Sequence, residues 1–150
     1  MMAVKPIPEG YHTVTPYLFV PSALTFIKFL TQAFAAEEIR RTLHPEGYIM
    51  NAEVRIGDSL IMVGEARGEC PPMPSSIYLY VENTDATYKR ALQAGGTSMM
   101  EPTDEFWGDR HAALKDPSGN CWMIATHVED VSSAEIEQRI KTLFGSKEPV

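Results

Sequence analysis

The chain has 150 residues, 44% hydrophobic and 22% charged, an ordinary globular composition that can bury a core without disulfide or metal staples. Its formal charge of -7, from 20 acidic and 13 basic side chains, excludes a general electrostatic attraction to nucleic acid or anionic membrane. The opening MMAVKPIPEG lacks the apolar core of a signal peptide and no run reaches membrane-spanning length, so a cytoplasmic protein is expected.

In chain order, residues 1–10 carry two prolines and a glycine and predict an extended arm. His12 to Val20 is rich in β-branched and aromatic residues and predicts a strand, with Pro16 marking an edge or a bulge. Ser22 is the expected N-cap of a helix from Ala23 to about Ala36, whose Phe26, Ile27, Leu30, Ala33 and Phe34 keep helical spacing. Ile39 to His44 reads as a short strand. Tyr48 to Ile56 alternates, with Ala52, Val54 and Ile56 on one face and Asn51, Glu53 and Arg55 on the other. A Gly57-Asp58-Ser59 turn leads into a strand that ends at Val63.

Glu65 to Ser75 is a linker with three prolines, and after it the pattern restarts. Ile77 to Val81 mirrors Tyr17 to Val20. A helix from about Asn83 to Ala94 mirrors the first, so that Lys28, Gln32 and Ala33 match Lys89, Gln93 and Ala94 at one constant offset. Thr97 to Met100 predicts the next strand. Phe106 to His127 predicts a loop and a hairpin around Asp116-Pro117-Ser118-Gly119-Asn120. Ser132 and Glu135 form a capping-box pattern before a helix over about 132–144, with Ile136, Ile140, Leu143 and Phe144 as its apolar stripe.

Each half is β-α-β-β-β, over about 11–66 and 75–128, and neither can bury its sheet alone. The expected class is α+β: one domain over residues 1–150, built from two tandem βαβββ modules and a C-terminal helix. Cys70 and Cys121 match no CxxC or Cys/His metal spacing and read as free thiols.

Two such modules, carrying Val14-Thr15-Pro16-Tyr17-Leu18, Gln32-Ala33-Phe34-Ala35-Ala36-Glu37, Ala52-Glu53-Val54-Arg55-Ile56-Gly57-Asp58-Ser59, Phe106-Trp107-Gly108-Asp109-Arg110 and Asp116-Pro117, resemble the vicinal-oxygen-chelate superfamily. That group holds glyoxalases, bleomycin-resistance proteins and extradiol dioxygenases, and the likeness is to its PhnB-like branch. The resemblance implies curved mixed sheets with a central trough, where catalytic relatives hold a divalent metal on His and Glu side chains from the first and last strand of each module. Carried over, those positions fall on Thr15, Ile61, Ser76 and Met123, which cannot hold such an ion. A shift of one residue brings Val14, Leu60, Met62, Ile77, Trp122 and Ile124, which offer nothing better. Asn51 and Asn120 stand where the branch implies histidines. No metal and no cofactor are therefore expected.

Several side chains carry two readings. Glu53 is either a general base whose pKa burial raises or an ion-pair partner of Arg55 or Lys115. Phe106 and Trp107 either wall a pocket for a flat ligand or close the end of the structure or a dimer interface. Asp109 and Arg110 read as a turn-stabilising pair. His111 is expected to point into the second trough, and His127 ends the last strand. Tyr17, Tyr78 and Tyr80 offer hydroxyls to a ligand or pack in the core. Met62, Met73, Met99, Met100 and Met123 suit an adaptable pocket or a core. No Ser or Cys has a visible base.

The expected function is metal-free binding of a partly aromatic small molecule by Asn51, Glu53, Arg55, Phe106, Trp107, His111 and Met123, in a homodimer. The alternatives are a glyoxalase-like lyase, isomerase or dioxygenase, with an unrecognised metal or an acid–base pair such as Glu53 with His111, and a scaffold or regulatory domain without a ligand.

Overall fold

Pro16 decides where the first strand begins, because a residue without an N–H cannot donate to the ladder. In the computed structural model, which describes residues 3–145, β1 is Tyr17–Val20 rather than His12 to Val20. The first two residues of the predicted arm and the last five of the chain lie outside the described residues. Pro16 still contributes its carbonyl, which accepts from the Met62 N–H at 2.9 Å.

Helix α1, Ala23–Phe34, starts as predicted, with the Ser22 hydroxyl accepting from the Thr25 N–H. It ends two residues early because Ala35 takes a left-handed conformation, φ 54°. The chain is then free to enter β2, Glu37–Leu43, sooner than the sequence pattern suggests. Strands β3, Ile49–Ile56, and β4, Ser59–Glu65, complete a sheet of order β1-β4-β3-β2 in which only the β1–β4 pair is parallel.

The second module repeats this with β5 (Ser76–Tyr80), α2 (Thr84–Gln93), β6 (Thr97–Asp104), β7 (Asp109–Lys115) and β8 (Cys121–His127), in the order β5-β8-β7-β6. Strand β6 runs past the expected end at Met100 and through Pro102. It lies at a sheet edge and its register is interrupted there, so the missing N–H is tolerated. The architecture is α+β, two βαβββ modules with mixed sheets.

The core lies between the modules. Phe26, Ile27, Leu30 and Phe34 of α1 sit on Leu18, Val20, Val54 and Val63 of the first sheet, and the same cluster continues into Ala91, Leu114, Trp122 and Ile124 of the second module. Phe34 touches Trp122 with ring centroids 4.8 Å apart, and Arg90 donates to the Gln32 carbonyl from helix to helix. The helices and the helix-bearing faces of the sheets therefore turn inward. The other face of each sheet points away from this core and is called the open face, although the N-terminal arm reaches across part of the first through Tyr11 and Glu53.

Helix α3, Ser133–Phe144, has its N-terminus capped by Ser132, whose hydroxyl accepts from the Glu135 N–H at 3.1 Å. The second half of the capping box does not form, because the Glu135 carboxylate takes Arg139 instead. No α3 residue is buried, and Leu143 and Phe144 are 63% and 66% exposed. The helix is held by Arg139, which donates to Glu129 and to the Phe106 carbonyl, and by an edge contact of Phe144 with Phe106. No described helix is long and apolar enough to cross a membrane.

Candidate ligand-binding site

Alternation assigns every strand residue to one face or the other. On β8, Trp122 and Ile124 are fully buried under α2, so Met123 and His127 belong to the open face. Register then brings Tyr78 of β5 beside Met123, and His111 and Ala113 of β7 join them there. In the first module Tyr17 pairs with Met62 in the same way, and Glu53 lies on Met62's other side. The offset relating Lys28 to Lys89 also carries Tyr17 to Tyr78 and Met62 to Met123.

At one end of the second open face, where β7 begins, lies Asp109, only 1% exposed. One of its oxygens accepts from the Tyr78 hydroxyl at 2.7 Å, the Tyr80 hydroxyl at 2.9 Å and the Trp107 indole N–H at 3.0 Å. The other faces His127 Nδ1 at 2.8 Å, while His127 Nε2 meets Asp130 at 2.7 Å. Burial pushes the Asp109 carboxyl up, but hydrogen bonds from His127, Tyr78, Tyr80 and Trp107 outweigh it and hold it below the usual range. Burial, followed by the bond to Asp109, pushes Tyr78 up to about 12. His127 is raised by Asp109 and then by Asp130.

The predicted Asp109–Arg110 turn pair is therefore corrected. Both residues are already in β7, where neighbours point to opposite faces, and Arg110 reaches Asp85 and Asp104 on the helix side. The turn ahead of them depends on Gly108, whose φ is +103° and whose carbonyl accepts from the Val128 and Glu129 N–H groups. A Cβ there would overlap the Glu129 carbonyl.

Around Asp109 the aromatic rings gather. His111 stacks on Tyr78 with centroids 5.8 Å apart, and Trp107 meets His111 edge-on at 5.5 Å and Phe106 edge-on at 5.0 Å. His111 Nδ1 lies 3.3 Å from Glu105. Phe106 and Trp107, on the loop between β6 and β7, thus stand beside His111 of β7, while Met123 lies on β8 of the same module.

Asn51, Glu53 and Arg55 share the first sheet. Glu53 pairs with neither Arg55 nor Lys115; it accepts from Tyr11 at 2.5 Å. Arg55 faces Glu37 at 3.7 Å, and Asn51 donates to the Tyr17 hydroxyl. Among the described residues no hydrogen bond or ring contact joins this trio to Phe106, Trp107, His111 or Met123, and Glu53 and His111 take separate partners, Tyr11 and Glu105.

A model of the glyoxalase/bleomycin resistance protein/dioxygenase superfamily matches residues 11–124, which span both modules. The chain belongs to that superfamily. An uncharacterised protein of Mycobacterium bovis, Mb0911c, is 32% identical over 138 residues, covering 83% of this chain and 89% of its own. Among solved structures, TioX from Micromonospora sp. ML1 superposes with a TM-score of 0.67 at 18% identity, covering 79% of this chain and all of its own. A PhnB protein from Bacillus cereus gives 0.61 at 17% identity, covering 77% of this chain and 99% of its own.

For a member of this superfamily the residues between paired strands must be tested against a divalent metal. Ile61, where the carried-over register puts a ligand, points into the core under α1 at 6% exposure. The open face carries Met62 instead, so the register in the first module slips by one. Tyr17 with Met62, and Tyr78 with Met123, offer phenols and thioethers, and the Tyr78 proton is held tightly. Such a set does not fit a hard or borderline divalent ion. Among the described residues no three His, Cys, Asp or Glu side chains are grouped so that they could hold a metal ion.

Asn120, where the branch implies histidine, has a structural task. It is buried, donates to Asp116 and accepts from the Ser75 N–H, tying the hairpin turn to the linker. The Tyr78–Tyr80–Asp109–His127 cluster was hidden in the sequence because Gly108-Asp109 resembles a turn. Extending the β7 alternation two residues back from His111 is the signal that finds Asp109. Tyr78, Tyr80 and His127 also line a cleft of about 1050 Å³ along the free edge of β5, with Phe34, Ile56 and Val81 as apolar walls.

Proposed function

We propose that the chain is a metal-free small-molecule-binding protein of the glyoxalase/bleomycin-resistance type, and that it takes a partly aromatic ligand on the open face of its second sheet. The observation that carries this reading is the group of Tyr78, Tyr80, Trp107 and His111 rings around Asp109, next to the β5 cleft. Rings supply area for stacking, and a few fixed polar groups supply orientation.

The open faces also favour a homodimer. Tyr17 is 39% exposed and Tyr80 63%, and α3 leaves Leu143 and Phe144 uncovered. A second copy would cover such apolar surface and complete each trough with the other module. Cys70 and Cys121 are free, which supports a reducing cytoplasm.

The test is titration of the protein with small aromatic probes, read at the Trp107 indole resonance, alongside elemental analysis after metal-supplemented expression. Expected are a saturable shift and metal well below one equivalent per chain. A stoichiometric bound metal, or an indole that no probe perturbs, overturns the reading.

A further inference from the structure

The hydroxyl hydrogens of Tyr78 and Tyr80 and the indole N–H of Trp107 all point at one buried carboxylate. With those hydrogens committed, the two phenols present a ligand with ring faces and acceptor lone pairs, and Trp107 with a ring face alone. The rings are close enough to act together, with Tyr78 and Tyr80 centroids 5.3 Å apart and His111 stacked behind Tyr78.

Carboxylates outnumber the cationic groups around them, Arg90 and, when protonated, His127. Asp109 lies at the hydroxyl ends of Tyr78 and Tyr80 and the N–H edge of Trp107, and Glu105 stands beside His111. His127 is flanked by two carboxylates, Asp109 and Asp130. Arg110 is turned to the other face with Asp85 and Asp104, and Lys115 is at the far end of β7. In the cleft, Arg90 donates to the Gln32 carbonyl, while Asp58 and Glu82 also line the walls. An anion placed here meets lone pairs and carboxylates. A cation meets the negative faces of aromatic rings, with a carboxylate at their hydroxyl and N–H edges.

We propose that Tyr78, Tyr80 and Trp107 form a seat for the positively charged head of an organic amine, a substituted or quaternary ammonium, whose body lies in the adjoining cleft. This rests on the reading of the open face as a ligand site and adds the sign of the ligand's charge. The Asp109 carboxylate need not touch the ligand. It fixes the rings and raises the electron density that attracts the cation.

The experiment titrates the full chain with choline and with 3,3-dimethyl-1-butanol, its neutral isostere, and separately with benzyl alcohol, following the Trp107 indole resonance. Choline is expected to bind about five- to thirtyfold more tightly than its isostere. Tyr80→Leu, at a 63% exposed position where the fold does not depend on the ring, should bring that ratio toward unity. Tyr80→Phe should keep it. Equal binding of the two isosteres, or a ratio unchanged in Tyr80→Leu, overturns the cation seat. A response to benzyl alcohol without one to choline overturns it too, yet leaves the aromatic-ligand reading standing. Silence toward all three probes removes both.

Discussion

Tyr11 Oη lies 2.5 Å from Glu53 Oε1, and this bond ties the N-terminal arm across the open face of the first sheet. Gly10 sits just before it, so close to Leu60 that an added Cβ would stand 3.1 Å from that side chain. The arm thus occupies the polar side of β3, which the sequence marks as ligand-facing. Glu53 is engaged from within the chain.

Tyr11→Phe should cost about 1 kcal/mol of stability in urea denaturation, the usual net value of one such bond. Burial first, then the bond and the charge of Glu53, push Tyr11 up from 10.0 to about 12. Its protonated form is the one the fold favours. The contribution is therefore complete below pH 10 and fades as pH rises toward about 12. The gap between wild type and Tyr11→Phe should close over that window; a gap that stays constant would show that the bond is not what stabilises the arm.

Asp116 holds the second hairpin by accepting from the Ser118 and Asn120 N–H groups, the Asn120 side chain and the Trp122 indole, the last at 2.8 Å. Asp116→Ala leaves buried donors unpaired and should destabilise by about 2–4 kcal/mol. Trp122, fully buried in the wild type, should then emit further to the red. A loss below about 0.5 kcal/mol, within the range of an ordinary surface substitution, would mean that water replaces the carboxylate.

His127 bridges Asp109 and Asp130 and has a raised pKa. A histidine whose folded value lies above its ordinary 6.5 contributes fully below 6.5 and loses that contribution as pH rises through the folded value. Its ring resonances should titrate above 6.5, and Asp130→Asn should move the midpoint down. Titration at or below 6.5 in the wild type would contradict the bridge.

Light scattering at high micromolar concentration should give twice the chain mass, since the exposed tyrosines of both sheets and the apolar end of α3 call for a partner surface. Replacing Leu143 and Phe144 with Ser should weaken the assembly if α3 takes part. A monomer mass for the unaltered chain would count decisively against pairing.

Sequence alone was enough for the two modules, the elements of each and the place of Phe106 and Trp107 on the loop that leads into β7. Those features follow from local periodicity and from a repeat whose offset stays constant from Lys28/Lys89 to Met62/Met123. It also located both helix caps at Ser22 and Ser132, because a cap is a contact across three residues. Where it went astray, at the start of β1, the end of β6 and the face of Ile61, the deciding factor was a neighbouring strand: proline can be judged only by its place in the sheet, and one residue of register reverses every side chain. The partners of Glu53 and Asp109 were beyond its reach. Tyr11 and Glu53 are 42 residues apart, and Tyr78 and Asp109 are 31. No periodicity connects such pairs. They meet because the arm folds back over β3, and because β8 lies between β5 and β7 and aligns their open faces.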